Sequence, residues 1–284
     1  MRYPVVFCGS NLGVLEYLAK RQDIRITHCF FHKKSGDFRR FLSLCKAYGL
    51  KHAVIKNNSE MESILGKIPR AVLGISSGFV MLSENIFCWP KSGFINIHPS
   101  YLPYYKGANP FYYMLINNEK KGGVSIHRIT KGVDCGKILA RAKYPIDYSD
   151  DIEVLIKKAE ALSVKLLDKY LIKILKGTAR EIANPPGNYY PLIKQRQYIN
   201  LKAEPLRIYN LVRSQTIYGG CFLNYKGKRL VVIKAEIVSA TARDDKLSPQ
   251  QLRLKINRAV DVIFTLGEAR RGICESCLRS GKKR

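Results

Sequence analysis

Apolar residues recur along this chain first at strand spacing and then at helical spacing. Residues 3–8 are a short apolar run closed by Gly9, the mark of a strand and a turn. Leu12, Leu15 and Leu18 then fall on one helical face within residues 12–21. Residues 24–31 alternate and predict a second strand. Residues 38–48 predict a short amphipathic helix stopped by Gly49, and residues 52–55 a third strand. Residues 71–75 are strongly apolar, which predicts a central strand covered on both faces. Residues 93–97 predict a fifth. Strands alternating with helices at this interval predict an α/β fold, a mostly parallel sheet with helices on both faces.

The next stretch breaks the pattern. Residues 94–98 read Phe-Ile-Asn-Ile-His, an apolar strand carrying two polar side chains. Asn96 and His98 are two apart, so both lie on one face. A loop dense in Pro, Gly and Tyr follows, up to Pro110. Residues 111–117 then predict a helix, and residues 124–129 a strand that carries His127. Between that strand and the apolar run at 138–140 lies Thr130-Lys131-Gly132-Val133-Asp134-Cys135-Gly136-Lys137, an Asp flanked by glycines. Asp150 or Asp151 caps a long helix with apolar positions at Leu155, Ala159, Leu162, Leu166, Tyr170 and Ile174, stopped by Gly177.

Asn184-Pro185-Pro186-Gly187-Asn188 predicts a boundary between a catalytic domain, residues 1–184, and a small C-terminal domain, residues 185–284. Beyond it, residues 201–213 predict a helix. Residues 221–224, 229–237, 251–255 and 260–265 predict the strands of a small β-rich domain. A basic, polar tail runs from Arg270 to the end.

Composition adds three points. The chain carries 49 basic and 22 acidic residues, a formal charge of +27. Residues 185–284 hold 20 basic and 7 acidic, so they are the more densely basic part, an attraction for polyanions. No run of 18 apolar residues occurs, which predicts no membrane span. The first strand begins almost at once. With eight scattered cysteines this predicts reduced thiols in a cytoplasmic protein. Cys274 and Cys277 are the one close pair, half of a zinc site with no evident partners, so no metal is expected.

The turn Gly9-Ser10-Asn11-Leu12-Gly13 has Asn where a dinucleotide-binding turn needs its second Gly, so no such cofactor is predicted. Ser76-Ser77-Gly78-Phe79 puts small residues at the end of the central strand, where a ligand can approach backbone. A parallel sheet can bring Asp134 beside Asn96 and His98. The carboxylate raises the imidazole's affinity for a proton, and the amide donates to a developing oxyanion. That set suits direct acyl transfer to an amine, for no Ser or Cys nucleophile with its own triad is evident. A structural His held by an Asp is the alternative.

Asn96-Ile97-His98-Pro99-Ser100, Leu102-Pro103, Lys106-Gly107-Ala108-Asn109-Pro110 and Gly132-Val133-Asp134-Cys135-Gly136 together resemble the signature of the folate-dependent formyltransferases. The resemblance covers most of residues 1–235. It implies a Rossmann-like catalytic domain, 10-formyltetrahydrofolate as donor and a primary amine as acceptor. Asn96 matches the Asn that holds the formyl oxygen, His98 the His that shares in proton transfer, and Asp134 the Asp that orients it. Ser77, Gly78, Phe79, Val80, Met81 and Leu82 match the wall around the pterin, closed on its other side by Thr130, Lys131 and Val133. Cys135 stands where Thr is common.

The acceptor is read from the loop after His98, from Ser125-Ile126-His127, and from a short link, Lys33 to Asp37, where the tRNA enzymes carry a long basic insertion. All three resemble the sugar N-formyltransferases, which act on nucleotide-linked aminosugars and serve lipopolysaccharide O-antigen biosynthesis. Tyr104, Tyr105, Lys106 and Asn109 lie where such an acceptor would be held, and a homodimer is a further expectation. The basic C-terminal part keeps methionyl-tRNA formyltransferase, with tRNA as partner, as the alternative. A non-catalytic nucleic-acid-binding protein on an inherited fold is a more distant one.

Overall fold

A computed structural model describes residues 2–33, 37–193, 196–239, 251–255 and 260–266. The basic tail with Cys274 and Cys277, and part of the link after Lys33, lie outside the described residues. In chain order the elements are β1 (Tyr3–Gly9), α1 (Leu12–Lys20), β2 (Ile24–His32), α2 (Phe38–Ala47), β3 (His52–Ile55) and α3 (Asn58–Leu65). Then come β4 (Leu73–Ser77), α4 (Glu84–Phe87), β5 (Phe94–His98), β6 (Lys106–Gly107), α5 (Pro110–Ile116), β7 (Lys121–Arg128), β8 (Ile138–Pro145) and α6 (Ile152–Leu175). The last are β9 (Tyr189–Tyr190), α7 (Pro205–Arg213), β10 (Cys221–Tyr225), β11 (Lys228–Ser239), β12 (Gln251–Lys255) and β13 (Val260–Leu266).

Seven strands form the main sheet in the order β3-β2-β1-β4-β5-β7-β8. The pairs from β3 to β5 are all parallel. β7 then pairs with β5 antiparallel, so the sheet is mixed at that side. The apolar run around Ile75 is central, as expected, but its strand begins at Leu73 and ends at Ser77. Both faces of β1 are covered, because Val5, Val6, Phe7 and Cys8 are all fully buried while alternating in direction. Val6, Cys8, Phe30 and Phe94 pack with Met61 and Leu65 of α3 and Ile86 and Phe87 of α4. α1 buries Leu12, Val14, Leu15 and Leu18, and Glu160 of α6 accepts the Gly13 N–H over 2.6 Å.

Three elements depart from expectation, each for a local reason. α3 is an addition. Asn57 caps it by accepting from Glu60 N at 3.0 Å, while the Glu60 carboxylate accepts from Lys56 N at 2.8 Å. α7 starts only at Pro205, whose ring suits the first helical turn, rather than at residue 201. β7 starts at Lys121, three residues early, because Gly122 and Gly123 let Tyr144 and Tyr101 lie against its backbone.

The chain divides into two compact units. One holds Met1–Ala108, Lys121–Tyr144 and Lys157–Pro191. The other holds Asn109–Lys120, Pro145–Ile156 and the described residues from Leu192 onward. The second unit has its own four-stranded sheet, β10-β11-β13-β12, whose described pairs are antiparallel. Its core joins Ile208 and Val212 of α7 to Cys221, Leu223, Val232, Val262 and Phe264. Cys8, Cys29, Cys45, Cys88, Cys135 and Cys221 are free thiols. No described helix is long and apolar enough to cross a membrane.

Candidate active site

The antiparallel register of β5 and β7 sets Asn96 opposite His127 and His98 opposite Ser125. Directly opposed residues share a sheet face, so these side chains converge. Phe94, one step back on that face, belongs to the apolar core under α3 and α4. The polar cluster therefore begins where that core ends. Ser125 is committed within it: its hydroxyl donates to Ser100 O at 2.8 Å and accepts Leu102 N at 3.0 Å.

Asp134 enters from the loop after β7. Its backbone is left-handed, φ 49°, which for a residue other than Gly requires support from around it. Asn184 Nδ2 gives it, donating to the carbonyls of Asp134 at 2.8 Å and Gly136 at 2.9 Å. A side chain at Gly136 would place Cβ 1.9 Å from Arg128 O, so the loop can pass there only as Gly. The Asp134 carboxylate accepts the Gly107 N–H at 2.8 Å and Asn96 Nδ2 at 3.4 Å. It stands 3.5 Å from His98 Nδ1 and 3.3 Å from His127 Nε2. The expected trio of Asn96, His98 and Asp134 is brought together, and His127 joins it. Sequence reasoning placed His127 on a strand but outside the site. The available signal was the matching spacing of Asn96/His98 and Ser125/His127, which becomes informative only once the strands are known to pair.

The tautomers follow from what each ring faces. His98 Nε2 lies 2.8 Å from Tyr105 O, and His127 Nδ1 lies 2.8 Å from Arg128 O. A carbonyl only accepts, so those nitrogens carry the protons. The remaining nitrogens, His98 Nδ1 and His127 Nε2, both face the one carboxylate. Burial pushes the His98 pKa down, against the pull of Asp134 and the Tyr105 carbonyl. This reverses the expectation that the carboxylate would raise it: desolvation wins. Burial also works against ionised Asp134, but the His127 and His98 rings and the Gly107 N–H outweigh it and hold the pKa down at about 2. With His98 neutral, Gly107 and Asn96 become the steady support of that charge, since neither titrates. The resting centre is thus a carboxylate between two basic nitrogens, ready to take up one proton.

The loops expected to wall a pterin also meet. Ser77 ends β4 and is buried, its hydroxyl 3.5 Å from Ile97 O. Gly78 is exposed with φ 67°, and its carbonyl accepts from Ser10 Oγ at 2.9 Å. The ends of β1 and β4 are thereby tied together where the strand order reverses, the usual crevice of an open α/β sheet. Phe79 and Leu82 pack with Ile129 on the core under α3 and α4, while Val80 is half-buried and Met81 is 71% exposed. Lys131 pairs with Glu84 at 3.0 Å, joining the two loops on their outer side. Thr130 is exposed and Val133 half-buried.

The expected acceptor residues divide. Tyr104 is 58% exposed. Tyr105 stacks on Tyr190 with ring centroids 5.0 Å apart. Lys106 is buried, its Nζ donating to Pro185 O at 3.0 Å. Asn109 uses its amide inside the second unit, accepting Ile193 N at 2.9 Å and donating to the Tyr218 hydroxyl at 2.6 Å. Among the described residues no cluster of His, Cys, Asp and Glu is arranged to hold a metal.

Residues 45–171 match the formyl transferase family. The chain is 33% identical over 187 residues to methionyl-tRNA formyltransferase of Caldanaerobacter subterraneus, a match spanning 65% of this chain and 60% of that protein. It is 31% identical over 256 residues to methionyl-tRNA formyltransferase of Ehrlichia canis, spanning 85% of this chain and 83% of that one. Its fold resembles the N-formyltransferase of Helicobacter canadensis, solved with folinic acid and dTDP-3-aminofucose. There the TM-score is 0.72 and the identity 18%, over 94% of this chain and 100% of that one. With the Ehrlichia match extending over most of both proteins, the chain belongs to the formyl transferase family.

Proposed function

We propose that this protein transfers a formyl group from 10-formyltetrahydrofolate to the primary amine of a nucleotide-linked aminodeoxysugar. One observation carries the reading: the Asp134 carboxylate lies between two imidazoles with the Asn96 amide beside it. Such a centre moves protons and donates hydrogen bonds without a covalent nucleophile.

The donor supplies a carbonyl carbon bonded to nitrogen and open to attack by an amine. The chain offers a fitting bed for its flat ring. Gly78 leaves backbone bare, Phe79 and Leu82 give an anchored apolar wall, and Met81 lies exposed beside them. Ser77, Val80, Thr130, Lys131 and Val133 complete the two loops. Asp134 is the group that draws a proton from the incoming amine. His98, neutral and locked by Tyr105 O, shares that proton through Nδ1. Asn96 is the donor for charge developing on the formyl oxygen. Residues 1–184 carry this chemistry, with residues 185–284 as the accessory domain, in a cytoplasmic enzyme that works as a homodimer.

A sugar acceptor is supported by the fold likeness to the Helicobacter enzyme, which runs the full length of that chain. The exposed Tyr104, and Tyr105 stacked on Tyr190, suit a nucleotide base. A second reading, methionyl-tRNA as acceptor, is favoured by the higher identity to the tRNA enzymes and by the +27 charge.

Incubation with the donor and a panel of nucleotide-linked aminosugars, beside methionyl-tRNA, separates the two. The expected product is a sugar nucleotide heavier by about 28 mass units, the addition of CO. Formylation of methionyl-tRNA alone would replace the sugar reading. Asn96→Ala, His98→Ala and Asp134→Ala should each lower kcat by roughly 10²–10⁴; wild-type turnover in all three would sink the assignment of the centre.

A further inference from the structure

Asn96 has two N–H bonds, and both are occupied. Nδ2 lies 3.4 Å from Asp134 Oδ1 and 3.3 Å from His127 Nε2. The amide cannot be turned round, because its oxygen would then face a carboxylate and a lone pair. His127 can accept from Asn96 only because its proton sits on the far nitrogen, held there by Arg128 O at 2.8 Å. The group that should meet the formyl oxygen is therefore engaged elsewhere in the resting centre. Something must release it.

His127 Nε2 is within reach of two partners of opposite kind, an amide donor and a carboxylate acceptor at 3.3 Å each. Unprotonated, it suits Asn96. Protonated, it suits Asp134 and can no longer accept from Asn96. We propose that His127 is a positioning residue that gates the Asn96 N–H, holding it while neutral and releasing it to the formyl oxygen on taking up the proton that leaves the amine. This rests on the formyl-transfer reading above.

The step balances within the reactants. The amine lone pair forms the new C–N bond, and the carbonyl pair moves onto the formyl oxygen. The amine proton passes to the Asp134 carboxylate and on to His127 Nε2, which turns to Asp134. The freed Asn96 N–H meets the charged oxygen at the moment that charge appears. When the pair returns from oxygen, the bond from the formyl carbon to the donor nitrogen breaks. The proton goes to that nitrogen and His127 is again neutral. No outside oxidant or base is needed. Of the other groups in the cluster, His98 faces His127 with ring centroids 6.4 Å apart, and the Arg128 guanidinium is turned to Glu181 and Ser92 O.

Imidazole ¹⁵N spectra of the wild-type protein, assigned with His98→Gln and His127→Gln, test the resting state without any turnover. His127 should carry its proton on Nδ1 and His98 on Nε2 at neutral pH; the opposite tautomer at His127 would overturn the proposal. Kinetics test the gate. In His127→Gln and His127→Asn, kcat should fall about 10- to 100-fold with both KM values within about twofold, and the kcat profile should lose an ionisation present in the wild type. Variants that keep the wild-type kcat and pH profile, in a protein that does transfer formyl, would overturn the gate and leave the reaction standing. A wild-type protein that formylates no amine would overturn both.

Discussion

Gly107 donates its backbone N–H to Asp134 Oδ2 over 2.8 Å, the shortest hydrogen bond that the catalytic carboxylate accepts among the described residues. The donor is fixed because Gly107 adopts φ 96° while β6 pairs with β9. A Cβ at that position would lie 2.4 Å from Tyr190 O and 2.7 Å from the Tyr189 ring. Gly107→Ala therefore combines a disfavoured backbone region with a backbone clash. It should cost roughly 1–3 kcal/mol in denaturant unfolding and lower kcat by displacing the donor. Unchanged stability and kcat would mean that β6 is free to shift.

The centre should also set part of the pH dependence of stability. Asp134 is held at about 2, below the ordinary carboxylate value, so the folded state binds its proton less readily than the unfolded chain. Its contribution is present above the unfolded value and is lost as pH falls toward about 2, amounting to roughly 2 kcal/mol. His98 is also lowered, by burial, so it too favours the folded state as pH rises, beginning near its unfolded value. Both slopes have the same sign. Asp134→Asn should flatten the stability curve in the acid limb, and His98→Gln should flatten it below about pH 6.5. Urea midpoints measured across that range check each separately.

Ser125 should matter to catalysis although its hydroxyl is used entirely inside the fold. It sits opposite His98 and ties down both Ser100 O and Leu102 N in the loop that delivers the Tyr105 carbonyl to His98 Nε2. Ser125→Ala leaves a buried acceptor and a buried donor without that partner, about 1–3 kcal/mol of stability. It should also loosen His98, lowering kcat more than it changes KM. Equal loss in kcat and KM would point to general unfolding of the loop instead.

The parts of the fold legible in the sequence are those with a strong period. β1 to β5 and α1, α2 and α6 each bury one continuous face or both, and hydrophobic spacing records burial directly. α3 was missed because residues 58–65 carry only a weak apolar stripe, yet its Asn57…Glu60 capping pair stood in the sequence. In the site, Asn96 and His98 were legible as polar residues in an apolar strand, and Asp134 as an acid between glycines. His127 was not, because its meaning depends on the register between two strands of opposite direction. Nor was the commitment of Lys106 and Asn109 to partners in their own units, since a polar residue in a loop looks the same whether it faces ligand or backbone. The downward shift of His98 was hidden for a similar reason: a neighbouring carboxylate can be guessed from sequence, but the depth of burial cannot.

In the second unit the corresponding keystone is Arg213, at the end of α7. It is 6% exposed, and its Nη1 donates to the carbonyls of Asp147, Tyr148 and Asp150 at 3.1, 3.0 and 2.8 Å, while Nε donates to Asn210 Oδ1 at 2.9 Å. One guanidinium thus satisfies three backbone carbonyls of a turn, helped by Tyr148 stacked on Tyr209. Arg213→Leu keeps much of the buried apolar volume but removes every donor. The three carbonyls then lose a charged partner in a buried site, which should cost roughly 3–5 kcal/mol, near the upper range for single substitutions. Arg213→Lys retains the charge but not the planar fork, so it should recover only part of that loss. Thermal unfolding of both variants provides the measurement. A Leu variant as stable as the wild type would show that the turn is held by Tyr148 and Tyr209 and that the arginine is dispensable.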